Sequence, residues 1–366
     1  MDERYIGLMS GTSIDGADGV LIDFGGGRMQ VLAHAHLGFE PGLRAELLAL
    51  NAAGDNELHR AALAANALAR VYAAVITELR SQAPGPVRAV GAHGQTVRHR
   101  PGQFDGTGYT LQINAPALLA ELSGLTVVAD LRSRDVAAAG QGAPLVPAFH
   151  RARFALAGQD LAVANIGGIS NLSLLPADGP VRGFDCGPGN ALMDLWCQRH
   201  RGRPYDDAGA WAAGGRVIPG LLAAALADPY FALPPPKSTG RDDFHADWLD
   251  ALLAGQPTAS PQDVQATLCE LTARAIARDL RAQLAGAGEL LVCGGGAFNV
   301  ELMRRLQQAL PGCSVASTAS RGLPPLQVEA SAFAWLARAC LRGEAGNLAS
   351  VTGARGPRVL GAIYPA

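Results

Sequence analysis

The fold is decided near the N-terminus by Tyr5–Phe24, which reads YIGLMSGTSIDGADGVLIDF. Residues 5–9 are apolar and predict a strand, the Gly- and Ser-rich residues 10–16 predict a tight turn, and residues 19–24 predict a return strand. The same plan recurs at Asp160–Leu175, with Asn165–Ser170 as the predicted turn. Two copies of one hairpin plan predict two halves that are built alike.

The chain length and the order of elements extend this plan. The 366 residues exceed what one hydrophobic core usually supports, so we expect two domains. Strands alternate with helices along the chain, which favours an α/β class. Apolar spacing and Pro or Asn start signals predict helices over residues 57–81, 116–123, 261–284 and 328–341.

Composition excludes several classes of protein. The net charge is −2 and basic runs are absent, which argues against a nucleic-acid partner. The N-terminus lacks secretory-signal features, and no apolar run has a membrane-spanning length, so we expect a cytoplasmic protein without a membrane partner. The cysteines lack metal-site spacing and are expected to be reduced, buried thiols: Cys186, Cys197, Cys269, Cys293, Cys313 and Cys340.

The first Gly-rich turn has the composition of an anion site. Backbone N–H groups in such a turn can surround phosphate oxygens, and nearby carboxylates can hold Mg²⁺ directly or through water. A plain hairpin turn is the alternative, because Gly, Ser and Asp are also ordinary turn residues. A Walker motif is absent. The candidate residues are Gly11, Thr12, Ser13, Asp15, Gly16 and Asp18.

Two further glycine-containing turns follow predicted strands. The second phosphate-loop candidate contains Asn165, Gly167, Gly168 and Ser170. The run Gly294–Gly296 stands between a strand and a helix, where it can lie against an adenine or a ribose. It does not fit the dinucleotide fingerprint, and a close-packed turn is the alternative.

A single carboxylate is the candidate general base. Asp185 ends a predicted strand and is followed by Gly187-Pro188-Gly189, which keeps bulky side chains away. Phosphoryl transfer requires positioning, charge neutralisation and one base that orients the attacking group. A carboxylate that caps the next turn is the alternative, and we expect Asn190 to cap the following helix.

Polar side chains also follow other strands. His93 precedes Gln95 and Thr96 and is either a structural or a catalytic histidine. Arg132 can bind an acidic substrate group or pair with a neighbouring Asp. Lys237, the only lysine, is expected in an exposed loop from which it can reach a phosphate.

These motifs together resemble the 1,6-anhydro-N-acetylmuramic acid kinase family. The resemblance covers nearly the whole chain in order, in the segments Gly7–Gly16, His93–Val97, Ala129–Asp135, Gly140–Pro147, Asn165–Asn171, Phe184–Asn190, Lys237–Arg241, Gly294–Ala297 and Glu329–Ala337. It implies a two-domain actin/hexokinase-like ATPase fold with ATP and Mg²⁺ in the cleft between the domains. We expect the domains to comprise residues 1–128 with 340–366, and residues 129–339.

The resemblance also implies the site roles and the reaction. The two turns become phosphate loops, Gly294–Gly296 lies at the adenosine, and Mg²⁺ is held through Asp15 or Asp18. Asp185 activates a water that attacks the anomeric carbon and opens the anhydro bridge, and the oxygen released at position 6 takes the γ-phosphoryl group. The expected sugar contacts are Gln95, Thr96, Arg132, Asp185 and Glu329. Family membership further implies a homodimer.

Two departures and two other functions remain open. The family pattern has Thr at Cys186 and Ser at Ala92, so each position loses a hydroxyl. The other functions are an ATP-gated binding protein without catalysis and a conventional hexosamine kinase in which Asp185 deprotonates a sugar hydroxyl.

Overall fold

The computed structural model describes residues 3–11, 13–240, 242–256 and 258–366. The chain forms two compact units: the first is Met1–Phe149 with Gln327–Ala366, and the second is His150–Leu326. The strands in chain order are β1 (Arg4–Met9), β2 (Gly16–Asp23), β3 (Gln30–Gly38), β4 (Ala89–Ala92), β5 (Gln95–Pro101), β6 (Gly108–Ile113), β7 (Val127–Ala129), β8 (Leu161–Ile166), β9 (Ile169–Leu175), β10 (Arg182–Pro188), β11 (Glu289–Cys293), β12 (Ser314–Ser317) and β13 (Ala362–Tyr364).

The helices confirm the helical predictions closely. The predicted segments 57–81, 116–123, 261–284 and 328–341 are observed as α2, α3, α10 and α12 of the following list. The helices are α1 (Pro41–Ala49), α2 (Glu57–Gln82), α3 (Pro116–Ser123), α4 (Ser133–Ala137), α5 (Val146–Phe154), α6 (Ala191–Arg201), α7 (Ala210–Ala213), α8 (Pro219–Leu226), α9 (Ala246–Leu253), α10 (Pro261–Gln283), α11 (Val300–Ala309), α12 (Val328–Leu341) and α13 (Ala349–Thr352).

The main sheet of each unit has the same plan. In the first unit the strand order is β13-β7-β4-β1-β2-β3, and in the second it is β10-β9-β8-β11-β12. In each sheet the first strand pairs antiparallel with the second and parallel with the fourth, and the fourth pairs parallel with the fifth. The expectation of two similarly built halves is therefore confirmed, and this duplicated α/β plan is that of the actin/hexokinase-like ATPase fold.

In each sheet, polar turns lie at the carboxyl ends of the parallel strands. The parallel strands β1, β4 and β7 end at Met9, Ala92 and Ala129, so the turns after them meet at the same end of the first sheet. In the second sheet, β8 and β11 are parallel, and the turns at Gly167 and Gly294 follow their carboxyl ends. The candidate site residues lie at these ends of the two sheets.

Two glycines bring α12 unusually close to the first sheet. A Cβ on Gly7 would lie 1.8 Å from the carbonyl oxygen of Ala330, and one on Gly91 would lie 2.0 Å from that of Phe333. No side chain fits in either place, so the backbone of α12 rests directly on β1 and β4. Phe333 is buried in the core on this face of the sheet, while α2 buries Leu68 on the opposite face.

This packing explains why the observed units differ from the predicted domains. Because α12 packs on β1 and β4, it belongs to the first unit, and Glu329 lies there with it. Asp135 accepts hydrogen bonds from Asn347 Nδ2 (2.6 Å) and Thr352 Oγ1 (2.8 Å), so the segment around α4 is joined to the C-terminal segment of the same unit. The boundaries therefore fall after Phe149 and Leu326 rather than at the predicted 128 and 339.

The helix α2 packs as a core helix. In the part of the chain that the structure describes, it is the one helix whose length and composition would also suit a membrane span. One face of α2, which includes Leu68, Tyr72 and Ile76, is buried and packs against β2 and β3. A core helix meets the same length and composition criteria as a membrane span, so these criteria do not distinguish the two.

The close approach of α12 can be tested with one methyl group. Gly91→Ala is expected to lower the free energy of unfolding by about 1–3 kcal/mol, because the backbone of Phe333 has to move. Gly42→Ala in α1 is the matched control, since no neighbouring atom lies within 4 Å of its Cβ and alanine favours a helix. Chemical unfolding of both variants checks this, and equal stabilities would contradict the packing account.

Candidate functional site

The first loop, between β1 and β2, presents open backbone. Ile14 N donates to the carbonyl oxygen of Gly11 over 3.2 Å, and Ser13 Oγ donates to Asp15 Oδ1 over 2.7 Å. Among the described residues beyond its chain neighbours, the only atom within 4 Å of a Cβ built on Gly11 is Ser13 Oγ at 3.8 Å, so these residues leave space beside this backbone. The predicted loop residue Thr12 lies outside the described residues. The geometry suits an anion, as the composition predicts.

The two loop carboxylates differ in their surroundings. Asp15 is exposed, whereas Asp18 is half-buried on β2. Asp18 Oδ1 lies 3.0 Å from His36 Nδ1 and 3.5 Å from His34 Nε2, both on the neighbouring strand β3. Among the described residues, no group of three or more acidic, His or Cys side chains could hold a metal by itself. A Mg²⁺ here would therefore take most of its ligands from water and phosphate, which this ion accepts readily.

The sugar-contact candidates of the first unit gather at the carboxyl ends of its parallel strands. Ser10, after β1, donates its hydroxyl to Gln95 Oε1. Gln112 Nε2 donates to Thr96 Oγ1 over 3.2 Å, across the β5–β6 pair. These hydrogen bonds hold the side chains of Gln95 and Thr96 just after the carboxyl end of β4, and their contact with a sugar stays a prediction.

His93 holds Arg132 in place. Arg132 donates to His93 Nε2 from Nε over 3.1 Å and from Nη2 over 2.9 Å, and Nη1 donates to the carbonyl oxygen of Gly142 over 2.8 Å. Burial and the charge of Arg132 lower the pKa of His93 to about 3, so the imidazole is neutral. Its ring centroid lies 4.6 Å from that of Phe333. The structural alternative for His93 therefore fits, and its role is to orient Arg132.

Glu329 faces the same charged groups. It is half-buried at the start of α12, and burial raises its pKa. The charge of Asp18 raises this pKa further, whereas the charge of Arg132 lowers it. Burial in turn lowers the pKa of Arg132 to about 10, so the guanidinium stays charged at neutral pH. Glu329 therefore interacts electrostatically with both Arg132 and Asp18, which sequence order alone does not reveal.

The second loop is fastened to the strand that carries Asp185. Asn190 N donates to the carbonyl oxygen of Gly167 over 2.8 Å, and Gly189 N donates to that of Gly168 over 2.9 Å. Asn190 is the N-cap residue of α6, as predicted, but its side chain donates to the carbonyl oxygen of Ile166 over 3.0 Å rather than bonding to the helix.

Ser170 belongs to this framework. It is fully buried, and its hydroxyl donates to the carbonyl oxygen of Gly187 over 3.1 Å. Of the predicted phosphate-loop residues, Ser170 is thus observed joining two backbone segments rather than facing outwards.

The glycine run after β11 packs on this loop. A Cβ on Gly294, whose φ is +76°, would lie 2.5 Å from Asn165 Oδ1. A Cβ on Gly296 would lie 2.4 Å from Ile166 Cγ2, and one on Gly295 would lie 3.5 Å from Asn190 Nδ2. The predicted phosphate and adenosine segments of the second unit are therefore in direct contact.

A pocket of about 520 Å³ opens beside these glycines. Its walls include Asn190 and Gly295 together with three large side chains that sequence reasoning missed: Tyr205, Phe298 and Leu326. Phe298 is 55% exposed and Tyr205 is 57% exposed, although both are aromatic. Volume and lining suit a small organic ligand. Phe298 lies two residues after the end of the glycine run, and that proximity was the available signal.

Asp185 has one carboxylate oxygen held and one open. It lies on β10 where the pairing with β9 is interrupted between Asp185 and Gly187. Its Oδ2 accepts hydrogen bonds from Thr239 N (3.1 Å) and Ser238 Oγ (3.2 Å), while Oδ1 accepts none from the described residues. Burial raises its pKa, and the two hydrogen bonds oppose that rise. An oriented carboxylate with a free oxygen can accept a proton from a bound water or hydroxyl.

The prediction for Lys237 is wrong. Its side chain is buried rather than exposed, and Nζ lies 2.9 Å from Asp279 Oδ2 on α10. A buried cation requires a partner, and Asp279 is the partner of Lys237. The ion pair therefore holds the Lys237 ammonium away from the solvent from which a phosphate would approach.

Because the glycine run contacts the second loop, we expect substitution of Gly294 to weaken nucleotide binding. Gly294→Ala forces a Cβ against Asn165 and a positive φ on alanine, a strain of about 1–3 kcal/mol. We expect ADP to bind about tenfold more weakly, as measured by calorimetry, since about 1.4 kcal/mol corresponds to tenfold. Gly288→Ala, with no atom within 4 Å, is the control. Unchanged ADP binding in Gly294→Ala would contradict this placement.

Two solved structures are similar to this chain at low sequence identity. They are an activator of 2-hydroxyisocaproyl-CoA dehydratase from Clostridium difficile with bound ADPNP (11% identity, TM-score 0.46, covering 90% of this chain and 92% of that chain) and a ROK family glucokinase from Streptomyces griseus in complex with glucose and AMPPNP (16%, TM-score 0.43, 92% and 99%).

Sequence comparison is far more specific. The profile of the family described as anhydro-N-acetylmuramic acid kinase matches residues 3–366. Proteins named anhydro-N-acetylmuramic acid kinase are similar over the full length: that of Variovorax paradoxus is 66% identical (100% of this chain, 99% of that protein), and that of Cupriavidus pinatubonensis is 64% identical (99% and 98%). The one from Ralstonia nicotianae is 55% identical (100% and 98%). By these full-length matches, the chain belongs to the anhydro-N-acetylmuramic acid kinase family.

Proposed function

We propose that this protein is an ATP-dependent kinase that converts 1,6-anhydro-N-acetylmuramic acid to N-acetylmuramic acid 6-phosphate in the recycling of peptidoglycan. Family membership over residues 3–366 supports the substrate. The observation that carries the mechanism is the carboxylate of Asp185, oriented through one oxygen and open at the other.

The atoms and protons of the proposed reaction balance with Asp185 as the base. Asp185 takes a proton from water while the water oxygen bonds to the anomeric carbon, and the bond from that carbon to the position-6 oxygen breaks. The released oxygen bonds to the γ-phosphorus of ATP, the bond to the β-phosphate breaks, and ADP leaves. The proton on Asp185 returns to solvent. One sugar, one water and one ATP thus give the sugar 6-phosphate, ADP and a proton.

The other groups have supporting roles in this proposal. The backbone of each loop is a candidate phosphate-binding segment within its own unit, Gly11–Gly16 in the first and Gly167–Gly168 in the second, and adenosine occupies the pocket beside Gly295. Asp15 or Asp18 would hold Mg²⁺, which would neutralise phosphate charge. Arg132 is a charged donor that His93 keeps in one orientation, which suits the carboxylate of the muramic acid side chain.

Two further proposals concern the protein in the cell. We infer a homodimer from family membership, which light scattering tests. We infer a cytoplasmic location because the six cysteines are buried free thiols, as suits a reducing compartment, and cell fractionation tests it.

The proposed function predicts sugar-dependent release of ADP. With Mg²⁺ and ATP, 1,6-anhydro-N-acetylmuramic acid is expected to support turnover, whereas glucose and N-acetylglucosamine are not. Asp185→Asn is the matched control, because it keeps the size of the side chain and removes the base, and turnover should fall by about 10²–10⁴-fold.

Other outcomes distinguish the alternatives. Release of ADP with an ordinary hexosamine would indicate a conventional sugar kinase. ADP binding without turnover of any sugar would indicate the nucleotide-gated binding protein. Full activity of Asp185→Asn would overturn the assignment of the base.

A further inference from the structure

Lys237 is an exception in this chain. It is the only lysine, and arginine provides the other 29 of the 30 Lys and Arg residues. Its side chain is also buried, with the whole residue only 7% exposed. A buried ammonium is costly unless it is paired, so this position places a strong demand on its surroundings.

Those surroundings supply one carboxylate and one aromatic face. Lys237 Nζ lies 2.9 Å from Asp279 Oδ2 and 3.3 Å from Oδ1, and it lies 5.0 Å from the ring centroid of Tyr230. Asp279 also hydrogen-bonds with the side chain of Cys186, the neighbour of Asp185 on β10. The ion pair thus contacts β10, the strand that carries Asp185, through Cys186.

The chain segment of Lys237 supplies most of the hydrogen bonds of Asp185. Asp185 N donates to the carbonyl oxygen of Lys237 over 3.1 Å. The next two residues, Ser238 and Thr239, donate to Asp185 Oδ2. Tyr230 completes the set, since its hydroxyl donates to the carbonyl oxygen of Asp185 over 2.7 Å. If this segment moves, the orientation of the carboxylate is lost.

We propose that the buried Lys237–Asp279 ion pair positions the general base by anchoring residues 237–239 to α10, so that Lys237 and Asp279 are positioning residues for Asp185. The inference rests on the proposed function for the role of Asp185 as a base. The position of its carboxylate can be measured without that role.

The site requires a lysine rather than any cation. An arginine carries a planar guanidinium with five N–H donors, which all need partners when buried. Here Asp279 and the Tyr230 ring satisfy one compact ammonium. Lys237→Arg is therefore expected to behave like a loss of the pair, although it conserves the charge.

The test compares Lys237→Met and Lys237→Arg with a control pair elsewhere in the same unit. The control is Arg305→Met: Arg305 is also 7% exposed, and it pairs with Glu301 (2.7 Å) and with Glu270 on α10 (2.9 Å). Both Lys237 variants are expected to lower kcat by about 10²-fold, the scale of a 1 Å misplacement, with KM for ATP nearly unchanged. Arg305→Met is expected to lower thermal stability with little change in kcat.

The pH profile separates positioning from simple destabilisation. Thr239 N and Ser238 Oγ lower the pKa of Asp185, so loosening them raises it further above its ordinary value. Because the base must be ionised, the acid limb of the kcat/KM profile should shift to higher pH in the Lys237 variants only. The other titratable groups around Asp185 are Cys186 on β10, Tyr230, Asp243 and Asp279.

One readout is independent of the sugar. Titration of the Asp185 carboxyl by carbon-13 NMR on sugar-free protein, assigned by its loss in Asp185→Asn, should show the same upward shift. An unshifted titration and acid limb in Lys237→Met, or full activity in Lys237→Arg, would overturn the inference. If wild-type protein turns over no anhydro sugar, the proposed function fails, but the NMR titration still decides the positioning.

Discussion

The second unit is organised by backbone hydrogen bonds between its first hairpin and the end of its third strand. The carbonyl oxygens of Gly167 and Gly168 accept from the amides of Gly189, Asn190 and Ala191. This junction fixes the second loop, the end of β10 and the start of α6 in one arrangement. Gly294 and Gly296 then pack on the same hairpin, where no side chain would fit. Hydrogen bonds within the backbone thus fix the proposed nucleotide and base segments relative to one another.

Contacts of charged side chains orient the remaining residues of the candidate site. Arg132 is held by neutral His93 in the first unit, and Asp185 is held by residues anchored through Lys237 and Asp279 in the second. Lys237 and Asp279 form a buried ion pair, and removing one partner from such a pair is strongly destabilising, whereas half-buried Arg132 is held by hydrogen bonds to a neutral side chain. These pairs leave Arg132 and Asp185 with little freedom, which is what a preorganised site requires.

Much of this could be predicted from the sequence, because it depends on local patterns. Helix starts at Pro116 and Pro261 and the two Gly-rich hairpins each follow from residues close together in the chain. Asp185 was identifiable for the same reason, since glycines follow it and isolate it at a strand end.

The missed features depend on contacts between distant segments. Lys237 looked exposed because three prolines precede it, and its partner Asp279 lies 42 residues away. The domain boundaries were misplaced because the packing of α12 on β1 and β4 joins residues more than 200 apart, which no local pattern reveals. Tyr205 and Phe298 likewise meet only in the folded pocket.

The central claim is that water, activated by Asp185, opens the anhydro bridge. The most direct measurement is a short reaction in oxygen-18 water with Mg²⁺, ATP and 1,6-anhydro-N-acetylmuramic acid, read by mass spectrometry against unlabelled product held in the same water. The account predicts one oxygen-18 atom at the anomeric hydroxyl of the sugar 6-phosphate and none in its phosphate. A product without the label at the anomeric position, or with the label in the phosphate, would contradict it.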